Sequence, residues 1–425
     1  MNRLFTLTLL TILAACGAKT DSPLSLERYT QVSGYLKEKD FFKTRDTFEY
    51  YKPEIGKPEK FILEAFIDNA FNKPESSNKK IDEVFNGYAQ QVSDSVKQQL
   101  LEIQQGNYAR LYEYEKANGI VKEILDKYSG VLSKDQVEDY KNSQIMWTAL
   151  SAQPKQEVKV NRLTSVTMKR DIAGLANLPI KVGNIEADFI FDTGANISTV
   201  TETTAKQFNM KMLDGVIEVG AITGLSVKSQ LAVCPEFTIG DITVNNAVFL
   251  VFPDDALAFP QINYQINGIL GFPVIEALKE IQITQNDEFI VPKVPRQYPL
   301  RNMALDFLNP VICIEGNHYT FDSGAVGTSL YIKYFNRYQK EIESNYKLTN
   351  LTFGGAGGTL SKKGYYITFK PNVEGHELVL DSVQAFTENI GVKDNLYYGN
   401  IGQDVIKQFN KMTLNFEYMY IKFDR

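Results

Sequence analysis

Histidine is almost missing from this chain: His318 and His376 are the only two in 425 residues. Two cannot build a His-rich metal site, and any Ser/His/Asp or Cys/His mechanism would have to recruit one of them. His318 falls on a strand-like stretch and reads as a surface or packing residue. Cysteine is nearly as scarce. Beyond Cys16 only Cys234 and Cys313 remain, which excludes a disulfide framework and offers no metal-ligand spacing. A bridge between these two and a pair of separate buried thiols both stay open. Basic runs are absent as well, and the net charge of -6 is spread along the chain, so nucleic acid is not expected as the main partner. No cofactor and no metal is expected, and chemistry on this chain falls to carboxylates.

Long apolar runs are lacking too. Residues 4–12 are apolar, but the stretch is too short to cross a bilayer as a helix. It runs into Leu13-Ala14-Ala15-Cys16, a quartet that resembles the lipobox of bacterial lipoproteins. That resemblance implies a signal peptide over residues 1–16 and acylation of Cys16. The mature chain would then be exported and lipid-anchored to a bacterial cell membrane, on its periplasmic or outer face, without spanning it. Roughly 410 residues then remain, enough for two or three domains with cores of their own.

What is present divides into two regimes. Over residues 17–153 the apolar positions follow a helical period: Phe61, Ile62, Ala65, Phe66, Ala70 and Phe71 in one stretch, Ile120, Val121, Ile124 and Leu125 in another. Ser133-Lys134-Asp135-Gln136 has the form of a capping box opening a helix that carries Val137, Tyr140, Ile145 and Trp147. Five or six helices joined by short turns are expected. They resemble tetratricopeptide-like hairpins without the full repeat signature, and a protein partner for this array is one expectation. Residues 153–156, with Pro154, read as the linker that ends it.

Beyond the linker the period becomes alternating, with Gly and Asn turns about every ten residues, the mark of an all-β region. A motif occurs there twice. Phe191-Asp192-Thr193-Gly194-Ala195 returns as Phe321-Asp322-Ser323-Gly324-Ala325. Upstream of each copy a strand runs into a turn containing Gly-Asn, at Gly183-Asn184 and Gly316-Asn317. Downstream, Ile269-Leu270-Gly271 is matched by Asn400-Ile401-Gly402, 79 positions from Asp192 to Gly271 and 80 from Asp322 to Gly402. Four landmarks in one order at one spacing imply a duplication, with halves at residues 161–295 and 296–425. Residues 291–299, with three prolines, join them.

An apolar strand, then Asp-Thr/Ser-Gly-Ala, then an apolar-apolar-Gly element resembles the aspartic proteases of the pepsin and retropepsin superfamily. The resemblance covers most of residues 171–425 and implies a bilobal acid-protease-like fold behind the helical array. Each half would give one aspartate to a site that hydrolyses a peptide or protein substrate. Asp192 and Asp322 are then the catalytic pair, with a water between them. Elementary electrostatics agrees with that use. Two carboxylates about 4 Å apart repel by roughly 4 kcal/mol at an effective dielectric near 20, or about three pKa units, so they share one proton. The ionised member takes a proton from the water while the other donates to the scissile carbonyl. Thr193 and Ser323 would cross-link the two loops, and Gly194 and Gly324 leave room for close backbone approach.

Ala195 and Ala325 stand where pepsins carry a hydroxyl, as in retropepsins. Losing that donor raises the pair's proton affinity and moves the expected optimum toward mildly acidic pH; activity that keeps rising below about pH 3 would contradict this. Asn196 is expected to bond substrate backbone, whereas Val326 in the second copy is not. Gly220, Ala221 and Ile222 in the first half, and Gly354, Gly355 and Ala356 in the second, lie where the family carries its flap; a plain flexible turn is the weaker alternative. Asn400 breaks the family's apolar pattern and weakens the expectation for the second half. The alternative is a protease-like lipoprotein that binds a peptide or partner without cleaving it.

Overall fold

Residues 23–150 form seven α-helices, one or two more than the periodicity predicts: α1 Pro23–Lys37, α2 Phe41–Tyr51, α3 Glu59–Ala70, α4 Pro74–Gly87, α5 Asp94–Arg110, α6 Tyr114–Lys127 and α7 Lys134–Leu150. The computed structural model describes residues 23–220, 226–355, 358–391 and 395–425. Local chemistry explains the helix boundaries. Pro74 occupies the first turn of α4, where its missing N–H costs nothing. Ser133 caps α7 through Gln136 N–H at 3.2 Å, and Gln136 returns the bond to Ser133 N–H at 2.9 Å, the reciprocal box read from the sequence. None of the described helices is long and apolar enough to cross a membrane.

After α7 the chain is built mainly of strands. The expected linker is pinned rather than free: the Gln156 side chain donates to Tyr112 Oη at 2.7 Å and to the Pro273 carbonyl at 2.9 Å. Two large sheets follow, of nine and eight strands, and a five-stranded sheet joins them. In that joining sheet Glu280–Thr284 from the first half pairs antiparallel with Lys411–Asn415 from the second. Residues 291–299 lie against it, where Glu280 accepts from Arg296 N–H at 2.6 Å and the Arg296 carbonyl accepts from Tyr420 Oη at 2.9 Å.

Each large sheet places its motif in the same way. Ile185–Phe191 runs parallel to Gly268–Leu270, which in turn pairs antiparallel with Ser198–Thr201. Asn317–Phe321 runs parallel to Gly399–Ile401, which pairs antiparallel with Ser329–Leu330. The hairpin before each motif differs in register. In the first half the turn is centred on Gly183-Asn184, between paired Val182 and Ile185. In the second it is Glu315-Gly316, both at positive φ, with Asn317 already paired to Ile314. The shared Gly-Asn dipeptide therefore sits one step out of phase in the two hairpins, with Gly183 first in its turn and Gly316 second.

One apolar core runs through both halves and into the helices, from Phe41 and Phe42 to Phe191, Phe321 and Met419. His318 belongs to this contact. It is 6% exposed, its ring stacks on Phe42 at 5.6 Å and Nε2 lies 3.3 Å from Asp40 Oδ1, so it is a packing residue and not a surface one. Cys234 and Cys313 are separate free thiols, and burial pushes the Cys234 thiol up to about 12.

Candidate active site

Asp192 and Asp322 each follow the buried last residue of a strand, Phe191 and Phe321, and both are half-buried. The parallel neighbour fixes each backbone: Asp192 N–H donates to the Leu270 carbonyl at 3.1 Å and Asp322 N–H to the Ile401 carbonyl at 3.0 Å. The chain then turns sharply, and the carboxylate tightens its own loop. Asp192 Oδ1 accepts from Gly194 N–H at 2.8 Å and Ala195 N–H at 3.1 Å; Asp322 Oδ1 accepts from Gly324 N–H at 2.8 Å.

Two residues then lock the loops together. Thr193 N–H donates to Ser323 Oγ at 3.0 Å, and Ser323 N–H donates to Thr193 Oγ1 at 3.0 Å. The hydroxyls pass their own protons on, Thr193 to the Phe321 carbonyl at 3.1 Å and Ser323 to the Phe191 carbonyl at 2.9 Å. Both side chains are almost fully buried, so the four bonds satisfy every donor there and are shielded from competing water. The lock brings each carboxylate over the other loop's glycine. A Cβ on Gly194 would lie 2.8 Å from Asp322 Cγ, and one on Gly324 would lie 2.3 Å from Asp192 Cγ.

Burial pushes the Asp192 carboxyl well above the usual carboxylate range, and the charge of Asp322 acts in the same direction; the N–H groups of Gly194 and Ala195 pull the other way. Desolvation and a like charge both oppose ionisation of Asp192 beside a charged Asp322. The two carboxyls thus face the same small space, each against the glycine of the opposite loop.

Residues 178–274 match the family model described as aspartyl protease. The matched segment contains Asp192 and the whole first-half arrangement through Gly271. Among solved structures, a retropepsin-like aspartic protease from Rickettsia conorii aligns with 18% identity over 32% of this chain and 94% of its own, at a TM-score of 0.22. No curated protein matches the chain.

The structure brings six motif residues other than the aspartates into one cluster: Thr193, Gly194, Ala195, Ser323, Gly324 and Ala325. Asn196 is exposed and lines a cavity of about 930 Å³ between the helices and the β region. Gly220 ends the strand Lys211–Gly220, paired with Ser226–Ile239. Gly354 pairs with Thr359 and Gly355 with Gly358 in the second long hairpin. Ala221, Ile222, Ala356 and the lipobox Cys16 lie outside the described residues.

Sequence reasoning missed three supports. Ser198 Oγ accepts from Gly271 N–H at 3.0 Å and Thr328 Oγ1 from Gly402 N–H at 3.2 Å. Both hydroxyl residues sit six positions after their aspartate, a spacing that was there to be read. The third is Asn400, whose Nδ2 donates to Asp322 Oδ2 at 3.3 Å; its polarity registered only as a departure from the family pattern.

Proposed function

We propose that this chain is an aspartic endopeptidase that hydrolyses peptide bonds with a water held between Asp192 and Asp322. The observation that carries the reading is the reciprocal Thr193–Ser323 lock, which holds each carboxylate against the glycine of the opposite loop. With one proton on the pair, the ionised carboxylate removes a proton from the water as its oxygen attacks the scissile carbon. The protonated carboxyl meanwhile donates to the carbonyl oxygen. Neither metal nor histidine is required. The match over residues 178–274 to the aspartyl protease family supports this reading.

The same reading divides the chain into a lipoprotein signal over residues 1–16, a helical domain over 17–153 and two duplicated protease-like halves, 161–295 and 296–425. It places the mature chain on a bacterial membrane through a lipid on Cys16, with peptide or protein as substrate. The large cavity lined by helices and β region favours a second reading, a non-catalytic module that binds a peptide or partner.

Incubating the chain that lacks residues 1–16 with unfolded polypeptide, between about pH 4 and pH 7, separates the two. The protease reading expects cleavage by the wild type and none by Asp192→Asn or Asp322→Asn. Saturable peptide binding by a wild type that cleaves nothing at any of these pH values would favour the binding module.

A further inference from the structure

The two halves differ at one facing pair of positions beside the dyad. On the parallel ladder next to Asp192, Ile190 faces Ile269. On the ladder next to Asp322, Thr320 faces Asn400. An apolar pair in one half is therefore a polar pair in the other, and the two polar residues are bonded to each other. Thr320 Oγ1 donates to Asn400 Oδ1 at 2.6 Å. That bond fixes which end of the amide faces the site, because Oδ1 is occupied and Nδ2 is directed at Asp322 Oδ2, 3.3 Å away.

The consequence is an asymmetric dyad. Asp322 accepts at both oxygens, from Gly324 N–H on Oδ1 and from Asn400 on Oδ2. Asp192 takes both of its backbone donors on Oδ1, and no N–H reaches its Oδ2 among the described residues. A protonated carboxyl oxygen is a weaker acceptor than a carboxylate oxygen, so an N–H aimed at an oxygen favours the charged form of that carboxyl. Among the described residues, Asp192 Oδ2 is the oxygen of the four with no N–H to favour its charged form, which makes it the preferred position for the shared proton. Ala325 supplies no hydroxyl to Asp322, and the donor arrives instead from the neighbouring strand.

Other charges near the pair are already engaged. Asp192 faces Asp322 across the axis. Arg170 is bonded to Asp287 and to Gln403 Oε1, and the Gln403 amide donates to the Ser323 carbonyl at 2.6 Å. Asp404 accepts from Thr328 N–H at 2.8 Å and Thr328 Oγ1 at 2.7 Å. None of these groups competes for Asn400.

We propose that Asn400, oriented by Thr320, is a positioning residue that keeps the charge of the dyad on Asp322 and its proton on Asp192, making Asp322 the base and Asp192 the acid. This rests on the protease reading above. In the step itself the water oxygen bonds to the scissile carbon, Asp322 takes a water proton and Asp192 gives its proton to the carbonyl oxygen. When the C–N bond breaks, Asp322 passes its proton to the leaving amine and a hydroxyl of the intermediate returns one to Asp192. The dyad ends as it began, with one proton on Asp192.

The test is the pH dependence of kcat/KM for Asn400→Leu and Thr320→Val, read with fluorescein-labelled unfolded casein. Removing the donor destabilises the singly ionised dyad relative to the doubly protonated one. The acidic limb of the profile therefore rises by about one pH unit in Asn400→Leu. Thr320→Val shifts it the same way by less. The alkaline limb stays in place, because Asp322 is charged on both sides of that ionisation. Two results would overturn the inference: movement of the alkaline limb alone, which puts the charge on Asp192, or a uniform fall in rate with both limbs fixed, which makes Asn400 merely structural. A second readout does not need activity. In carbon-13 titration of labelled aspartate carboxyls, Asp322 ionises before Asp192 in the wild type, and Asn400→Leu narrows or reverses that order. If Asp192 ionises first in the wild type the inference is wrong. A chain that cleaves nothing yet shows the expected order refutes the protease reading alone.

Discussion

Gly324 lacks a side chain where the Asp192 carboxyl needs the space, since a Cβ there would lie 2.3 Å from Asp192 Cγ. The obstruction is a carboxyl locked by its own loop, so it cannot move aside without losing its bonds to Gly194 and Ala195 N–H. Gly324→Ala is therefore expected to displace Asp192 and lower kcat/KM by about 100-fold or more, with an unchanged far-ultraviolet circular dichroism spectrum. Near-wild-type cleavage by that variant would contradict the geometry. Asp192 also marks the stability curve. Its proton affinity is raised by burial first and by Asp322 second. Between the unfolded value near 3.9 and the higher folded one, the native state holds a proton that the unfolded chain has lost. Stability from this group is thus full below the unfolded value and falls as pH rises through the folded one. Asp192→Asn removes the loss. Its gain in Tm over the wild type should be larger at pH 7 than at pH 4, and an equal or smaller gain at pH 7 would count against a buried, proton-holding Asp192.

Among the secondary-structure elements, the first long hairpin is held from outside. Asn142 on α7 donates from Nδ2 to the Glu218 carbonyl at 2.7 Å and accepts from Glu218 N–H at 3.0 Å. It thus closes both polar groups of one residue on the strand Lys211–Gly220. Asn142→Ala opens both bonds and should speed amide exchange at Glu218, measured by hydrogen exchange with mass spectrometry; unchanged exchange would show that the clasp does not restrain the hairpin. Elements of this kind differ in how far the sequence reveals them. The α7 cap was legible because its signal lies within four residues, Ser133 to Gln136. The strand before each aspartate was legible from its apolar run and the turn that follows. Asn142 carried no signal at all, because its partner is a backbone 76 positions away. Asn400 carried a signal with the wrong meaning. Its polarity looks like damage to an apolar element until Thr320 is seen opposite it, and only strand register puts Thr320 there.

On the scale of the whole molecule, the helical array is part of the architecture and not an appendage. Arg110 on α5 pairs with Glu276 at 2.7 Å, Lys39 with Asp306 at 2.9 Å, and Phe42 shares the core of the second half through His318. Both halves are therefore braced against one set of helices as well as against each other through the five-stranded sheet. The bilobal arrangement was legible because the motif occurs twice at matched spacing. How the helices dock was not, since the docking residues are scattered along the chain and ordinary in type. What these constraints converge on is a single pair of carboxylates, one from each half, each held against the glycine of the other's loop. The most direct measurement of that is a double-mutant cycle on kcat/KM with Asp192→Asn, Asp322→Asn and the double variant. If the two share one proton and one water, each single change removes nearly all cleavage, a loss of about 1,000-fold or more, and the double change removes little further. One single variant that keeps substantial activity, or losses that multiply in the double variant, would contradict the shared dyad.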